Sequence, residues 1–206
     1  MALVIEDAFL PATLSAPPMT DEEFADFCAE NPDLFFEMTA EGELIVTPPT
    51  RSKTGVQNAK IVARLVFWAE KEGGGIATDS STGFVLPNGA RRSPDAAWTP
   101  KSEIAKLSPQ SREGFWHLCP AFVIELRSVS DRPRMLRAKM PEYIENGARL
   151  GWLIDPETRT VEIYRPDREP ELVEKAETIS GEGPVQGCPR SAHGVGSARL
   201  VSPPFL

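Results

Sequence analysis

Three segments of the chain place hydrophobic residues at helical spacing. Residues 20–28 begin with a capping box, Thr followed by Glu three positions later, and continue with apolar residues at i, i+3, i+4. The longest periodic stretch is 55–72, which leads into three consecutive glycines, a helix-ending signal. The third stretch is 130–147, where Pro133 is tolerated in the first turn. The spacing therefore predicts three helices, and a loop with a short helix is expected over roughly 101–114.

Shorter apolar runs bounded by turn residues separate these helices. The most apolar run, 121–127, predicts a central strand, because central strands are buried on both faces. Turn signals around Gly42, Gly89 and 156–159 predict that neighbouring strands pair as hairpins. The predicted strands are 35–38, 43–47, 76–79, 83–86, 91–98, 121–127, 151–155 and 160–165. Strands alternating with helices in this order predict an α/β fold with a mixed sheet.

Composition limits the architecture to one domain. A chain of 206 residues with 41% hydrophobic residues buries one core and is too short for two. Residues 1–19 are apolar and proline-containing without periodicity, so we expect an N-terminal lead-in. The domain itself is expected over 20–180. Residues 181–206 are rich in Gly, Pro, Ser and Arg, and we expect a poorly ordered C-terminal tail.

Cysteines and hydropathy predict the compartment. The three cysteines are far apart and form neither a zinc-binding pair nor a disulfide framework, which favours a reducing cytoplasm. No apolar run approaches the roughly 18 residues that a membrane span needs, and the N-terminus does not resemble a secretory signal. We therefore expect no membrane partner and a cytoplasmic location.

Charge is distributed unevenly along the chain. The formal net charge is −8, but residues 1–50 hold 11 acidic residues and no Lys or Arg. The rest of the chain has 22 basic against 19 acidic residues. Global charge governs solubility and steering, so it does not exclude a local basic surface that binds nucleic acid. The acidic part alone is most simply a solvated surface.

Two acids in predicted strands are the strongest candidates for chemistry. Glu125 lies inside the most apolar strand, where a carboxylate is costly unless it is paired or binds a cation. Asp95 lies in another strand of mostly small and apolar residues. Paired carboxylates suit Mg²⁺, which can polarise a phosphoryl oxygen and activate water. Spacing alone favours the alternative, a structural ion pair of Glu125 with Arg127 or Arg137.

A basic stretch follows the second acid. Four arginines lie between Glu125 and Lys139, against one acid, which favours a phosphate-facing surface. Lys139 lies next to the apolar stripe of the third helix, so its side chain either reaches the strand ends or extends along the apolar face to solvent. Pro141 predicts a kink at this point of the helix.

A series of short motifs runs through the chain in a fixed order: Glu37, Gly42-Glu43-Leu44, Gly55, Asn58, Pro94-Asp95, Glu125-Leu126-Arg127-Ser128, Lys139-Met140, Tyr143 and the segment 147–156. Their order and spacing resemble the Uma2 restriction endonuclease family of the PD-(D/E)xK nuclease superfamily. The resemblance covers about residues 20–180. The resemblance implies a restriction-endonuclease-like core, a mixed central β-sheet flanked by helices.

The resemblance also implies a set of site residues. Asp95 and Glu125 become ligands of Mg²⁺ or Mn²⁺, with the Leu126 carbonyl as a third candidate, and Glu37 becomes an auxiliary acid. At the position where the superfamily has a catalytic lysine, this chain has Arg127. Arginine stays protonated and cannot act as a base, so Lys139, which matches the family's helix lysine, is favoured for that role.

Two functions follow as hypotheses. The first is a Mg²⁺-dependent endonuclease that hydrolyses DNA, with a homodimer expected by analogy because two sites can cut two strands. The second is a catalytically inactive, nuclease-derived module that binds nucleic acid or a protein. The chain has no Gly-x-Ser-x-Gly nucleophile motif and no phosphate loop, which excludes the corresponding hydrolase and nucleotide-binding classes.

Overall fold

The computed structural model describes residues 5, 9–71, 74–175, 179 and 181–186. Its helices are α1 (Asp21–Ala29), α2 (Ser52–Lys71), α3 (Lys101–Ile104), α4 (Pro109–Glu113) and α5 (Pro133–Glu145). Its strands are β1 (Ala12–Ser15), β2 (Phe35–Met38), β3 (Glu43–Thr47), β4 (Gly75–Asp79), β5 (Phe84–Val85), β6 (Arg91–Arg92), β7 (Ala96–Pro100), β8 (Phe122–Leu126), β9 (Leu150–Asp155), β10 (Thr160–Tyr164) and β11 (Glu171–Glu174). The predicted mixed α/β class is confirmed.

The described strands form two sheets. The small sheet has the order β1-β3-β2-β6-β5, and the large sheet has the order β11-β10-β9-β8-β7-β4. The β8–β9 pair is parallel, with Glu125 opposite Leu153, and the other pairs are antiparallel. α5 connects β8 to β9 and so provides the crossover connection that parallel strands require. β8 lies inside the large sheet and every residue in it is buried, as its apolar run predicts.

The chain passes from the small sheet to the large sheet at Ser93-Pro94-Asp95. The prediction of one strand over 91–98 is therefore wrong, because β6 and β7 belong to different sheets. Pro94 has no N–H to donate to a strand partner, and the Ser93 N–H donates to the Glu37 carboxylate instead. The break leaves Asp95 immediately before β7, at the junction of the two sheets.

The large sheet is covered by a long helix on each face. α2 packs Ile61, Leu65 and Trp68 against a core that includes Phe122 and Trp152. α5 packs Met140 and Tyr143 against the opposite face, where Val123, Ala97 and Leu153 lie. α2 begins three residues before the predicted start, and α5 continues through Pro141 as one helix. The two helices bury both faces of β8, so an acid on this strand can reach solvent only near the strand's end.

A smaller core joins α1 to the hairpin of β2 and β3. Phe24 packs against Phe36, Met38, Leu44 and Val46. The predicted capping box of α1 is confirmed, since the Glu23 N–H donates to the Thr20 hydroxyl and the Thr20 N–H donates to the Glu23 carboxylate. Because side chains alternate along β2, burying Phe36 and Met38 in this core turns Glu37 to the opposite face.

Two strands and a 3-10 turn near the ends of the chain were not predicted from hydropathy. The lead-in contains β1, which pairs with β3, and β11 adds an edge strand beside β10. Part of the expected irregular tail also packs, because Gly183–Val185 form a 3-10 turn and Val185 is fully buried. Residues 187–206, the rest of that tail, lie outside the described residues. Among the described helices, none combines the length and apolarity of a membrane span.

Candidate active site

Asp95 and Glu125 lie side by side on neighbouring strands. Ala96 of β7 pairs with Ile124 of β8 in an antiparallel register. The next residue on each strand is Asp95 and Glu125, so these two residues lie opposite each other. The Leu126 N–H donates to Asp95 Oδ2 at 2.8 Å, which fixes the Asp95 side chain against the end of β8. Both acids line one cavity of about 150 Å³. The sequence-predicted acid pair is therefore brought together at a single cavity.

Lys139 of α5 lies between the acids of the two sheets. Its Nζ is 2.8 Å from Glu125 Oε1 and 3.0 Å from both oxygens of Glu37. The Lys139 side chain is 13% exposed, and it lines the same cavity as Asp95. A second cavity of about 280 Å³ shares Glu37 and Lys139 with the first. Lys139 thus reaches the strand ends, as one of the two sequence-based alternatives proposed.

The other cations considered for Glu125 lie elsewhere. The Arg127 Nη1 donates to Asp155 Oδ2 at 2.6 Å, and the Arg137 guanidinium pairs with Glu162. The ion-pair alternative is therefore wrong about its partners, because Glu125 pairs with Lys139. Arg127 lies just past the end of β8, where Asp155, the last residue of β9, accepts its hydrogen bond. The structure does not bring Arg127 into the cluster formed by Glu37, Asp95, Glu125 and Lys139.

Glu37 is held as a carboxylate by its surroundings. It accepts a hydrogen bond from the Ser93 N–H at 2.9 Å and lies 3.5 Å from Arg92 Nη1. Burial alone would raise the pKa of Glu37, but the positive charges of Lys139 and Arg92 and the Ser93 N–H together lower it. Glu37 is therefore charged at neutral pH and keeps Lys139 positioned beside Glu125.

Two further residues complete the cluster, and sequence reasoning assigned neither of them a role. The Tyr143 hydroxyl donates to Glu125 Oε1 at 2.9 Å, and Arg92 Nε donates to Glu142 Oε2 at 2.6 Å. Tyr143 follows Lys139 by four positions, so the helical period could have predicted that both face Glu125. No local spacing predicts a role for Arg92, because its partners Glu37 and Glu142 lie about 50 positions away on either side.

Burial and mutual repulsion shift the pKa values of the two strand acids upward. Burial, followed by the charge of Glu125, raises the pKa of Asp95 to about 7. Burial is also the main cause that raises the pKa of Glu125, although Lys139 opposes it. Burial would lower the pKa of Lys139, but Glu125 and Glu37 raise it, so this lysine stays protonated. The acids therefore ionise more readily when additional positive charge is bound beside them.

The donor set fits a hard divalent cation that keeps part of its water. Asp95 and Glu125 offer carboxylate oxygens to one cavity, and Leu126 adjoins both. Within the described ranges, no group of three or more His, Cys, Asp or Glu side chains is arranged to hold a metal. Mg²⁺ is commonly bound through one or two carboxylates, with water and substrate phosphate completing the shell. Two acids are therefore sufficient for Mg²⁺ and too few for a site built only from protein ligands.

Comparison with known proteins identifies a matching family model and a solved structure of similar fold. The model of the Uma2 family, described as "Putative restriction endonuclease", matches residues 21–190. A crystal structure from Anabaena variabilis, described as "a putative nuclease belonging to DUF820", superimposes with a TM-score of 0.67 at 22% sequence identity. The match covers 82% of this chain and 91% of that chain. No protein with curated annotation matches. The structural likeness supports the predicted nuclease-like fold.

Proposed function

Because the chain belongs to the Uma2 family, whose description is "Putative restriction endonuclease", we propose that it hydrolyses phosphodiester bonds of DNA with Mg²⁺ or Mn²⁺ as cofactor. The observation that carries the proposal is the cluster of Asp95, Glu125 and Lys139 at one open cavity. Two neighbouring carboxyl groups that can bind a cation and a protonated lysine beside them are the groups that a metal-assisted attack of water on a phosphate needs.

Each residue of the cluster has a distinct task in this proposal. Asp95 and Glu125 hold the cation, with the Leu126 carbonyl as a third ligand. When bound, the ion supplies polarisation of a phosphoryl oxygen and a lower pKa for coordinated water. Lys139, which stays protonated between Glu37 and Glu125, orients the attacking water and neutralises negative charge that develops on the phosphate. Glu37 acts as an auxiliary acid that positions Lys139.

Arg127 contributes outside the cavity in this proposal. Its guanidinium pairs with Asp155 near the end of β8, and Arg127 does not line the cavity of Asp95 and Glu125. We assign Arg127 to charge neutralisation along the DNA backbone and Lys139 to the position of the catalytic lysine. The exposed Arg132 and Arg134 lie at the start of α5 and extend this basic surface.

The proposal is tested by cleavage of supercoiled plasmid DNA. The wild-type chain should nick or cut the plasmid with Mg²⁺ or Mn²⁺ and not with EDTA. Asp95→Ala and Glu125→Gln should each lose at least a hundredfold in rate, because each removes a ligand. Glu145→Gln is the matched control, since it removes an exposed carboxylate of α5 that does not line the cavity. Equal cleavage by all four proteins would reject the proposal.

One observation favours the second candidate, a nuclease-derived binding module. Lys139 contacts Glu125 and both oxygens of Glu37, so these charges are compensated without a metal ion. Such a module would bind duplex DNA with a salt-dependent affinity and show no turnover with any divalent ion. A chain that neither cuts nor binds DNA at low salt would leave only a protein partner.

The cellular setting is part of the proposal. Cys28 and Cys119 are both free thiols, as expected for a protein of the reducing cytoplasm. A homodimer would place two sites on the two strands of a duplex, and this oligomeric state stays a prediction. Sedimentation of the chain with and without duplex DNA would measure it.

A further inference from the structure

The first turn of α2 opens onto the cavity that holds the acid cluster. Thr50, just before the helix, and Thr54, in its first turn, both line this cavity together with Asp95 and Glu125. α2 is a 20-residue helix whose first turn contains no acidic residue. The start of the helix and the two strand acids therefore face a common space.

Backbone donors at this end of α2 have no acceptor within the helix. The Gly55 N–H donates to the Arg51 carbonyl at 2.9 Å, which is the first hydrogen bond of the helical ladder. The N–H groups of Ser52, Lys53 and Thr54 precede it, and they point out of the helix end. Together with the helix dipole, such a set of donors favours an anion with several oxygen atoms.

The Thr54 side chain is a second and independent indication of a ligand. Thr54 is only 7% exposed, and it lines the cavity. Within the part of the chain that the structure describes, the Thr54 hydroxyl makes no hydrogen bond to the protein, and it is not among the fully enclosed polar atoms, so it opens onto the cavity. A side chain that is more than nine-tenths buried but leaves its hydroxyl unpaired and open to a cavity offers that hydroxyl as a donor to a ligand there. A ligand oxygen in the cavity would supply the missing partner.

We propose that the start of α2 binds a phosphate of the nucleic-acid backbone next to the phosphodiester that is cut. The backbone N–H groups of residues 52–54 and the Thr54 hydroxyl are the donors of this subsite. The inference rests on the proposed function, since it assigns the phosphate to the DNA that the acid cluster acts on. It explains how DNA is held near two carboxylates that would otherwise repel it.

The test measures binding of a short duplex without terminal phosphates, in EDTA so that no cleavage occurs. Ser52→Asp places a carboxylate at the helix start, where it competes with phosphate for the same donors. An acid in the first turn also favours the helix, so the variant should remain folded. The Kd for DNA should rise at least tenfold. Ala63→Asp, an exposed position 11 residues further along α2, is the matched charge control and should stay within about twofold.

Thr54 gives a second and smaller perturbation. Thr54→Val keeps the shape and removes the hydroxyl, and its Kd should rise about three- to tenfold, as expected for one hydrogen bond. Thr54→Ser restores the hydroxyl and should return the Kd to within about twofold of wild type. Equal effects of Ser52→Asp and Ala63→Asp, or no effect of Thr54→Val, would overturn the subsite.

Failure of this inference can be separated from failure of the proposed function. If wild type cleaves DNA but Ser52→Asp binds as tightly as wild type, the subsite is wrong and the nuclease stands. If wild type never cleaves but Ser52→Asp weakens DNA binding selectively, the subsite stands and the catalytic proposal fails. If wild type does not bind DNA at low salt, the subsite is overturned.

Discussion

Replacing Asp95 by Asn should stabilise the metal-free protein in a pH-dependent way. Burial and the charge of Glu125 raise the pKa of Asp95 to about 7, whereas in the unfolded chain this group has its ordinary pKa of 3.8. Above pH 3.8 the folded state therefore binds the proton that the unfolded state releases. The free energy of unfolding of wild type falls between pH 3.8 and about 7, and Asn removes this loss.

The magnitude follows from the shift. A difference of about three pKa units corresponds to about 4 kcal/mol at full ionisation. Between pH 5 and pH 8, the stability difference between Asp95→Asn and wild type should grow by about 2.5 kcal/mol. Since the carboxyl group faces an open cavity, solvent screening makes this an upper bound. The Asn side chain can still accept the Leu126 N–H, so the comparison isolates the charge.

Urea denaturation in EDTA at pH 3, 5, 6, 7 and 8 measures this difference. Asp155→Asn is a control of opposite sign, because hydrogen bonds from Arg127 and from the backbone of Thr158 lower the pKa of Asp155 although partial burial opposes them. That variant should be less stable than wild type at neutral pH, and the gap should close as the pH falls below about 4. A stability difference for Asp95→Asn that does not grow with pH would refute the reasoning.

Three further predictions concern the cluster. Lys139→Met should destabilise the chain by about 3–5 kcal/mol at pH 7, because Glu37 and Glu125 lose their cation. Adding Glu37→Gln to this variant should restore part of the lost stability. Urea midpoints measure the single and double variants, and additive losses would contradict a network shared by Lys139, Glu37 and Glu125. Tyr143→Phe should cost about 1 kcal/mol by the same measurement, since one hydrogen bond to Glu125 is lost, and an unchanged midpoint would contradict that bond. Mg²⁺ at millimolar concentration should raise the Tm of wild type but not of Asp95→Ala, because only wild type keeps both ligands; equal rises in a thermal scan would place the ion elsewhere.

Local patterns predicted the helices and the hairpins. The Thr20 capping box and the apolar run of β8 depend on residues close in sequence, so composition and spacing were sufficient for them. The strand break at Ser93-Pro94-Asp95 was missed because Pro94 lies within an apparently continuous run. The edge strands β1 and β11 were missed because they carry little hydrophobic pattern and are held by pairing with β3 and β10.

The candidate site was predicted in part. Asp95, Glu125, Lys139 and Glu37 came from the resemblance and from the cost of burying a carboxylate, and the structure brings these four together. The partner of Lys139 could not be derived from spacing, since Glu37 lies 102 positions earlier. Strand alternation predicts Arg127 near Glu125, but Asp155 at the end of β9 accepts its hydrogen bond instead. Contacts between distant segments decided both cases.

Direct titration of the protein with Mn²⁺, followed by the loss of the free-ion electron paramagnetic resonance signal, tests the central claim. The account predicts one bound ion per chain in wild type. It predicts that Asp95→Asn and Glu125→Gln abolish binding and that Asp155→Asn leaves it intact. Undiminished Mn²⁺ binding by Asp95→Asn and Glu125→Gln would contradict the claim that these two carboxylates form the metal site.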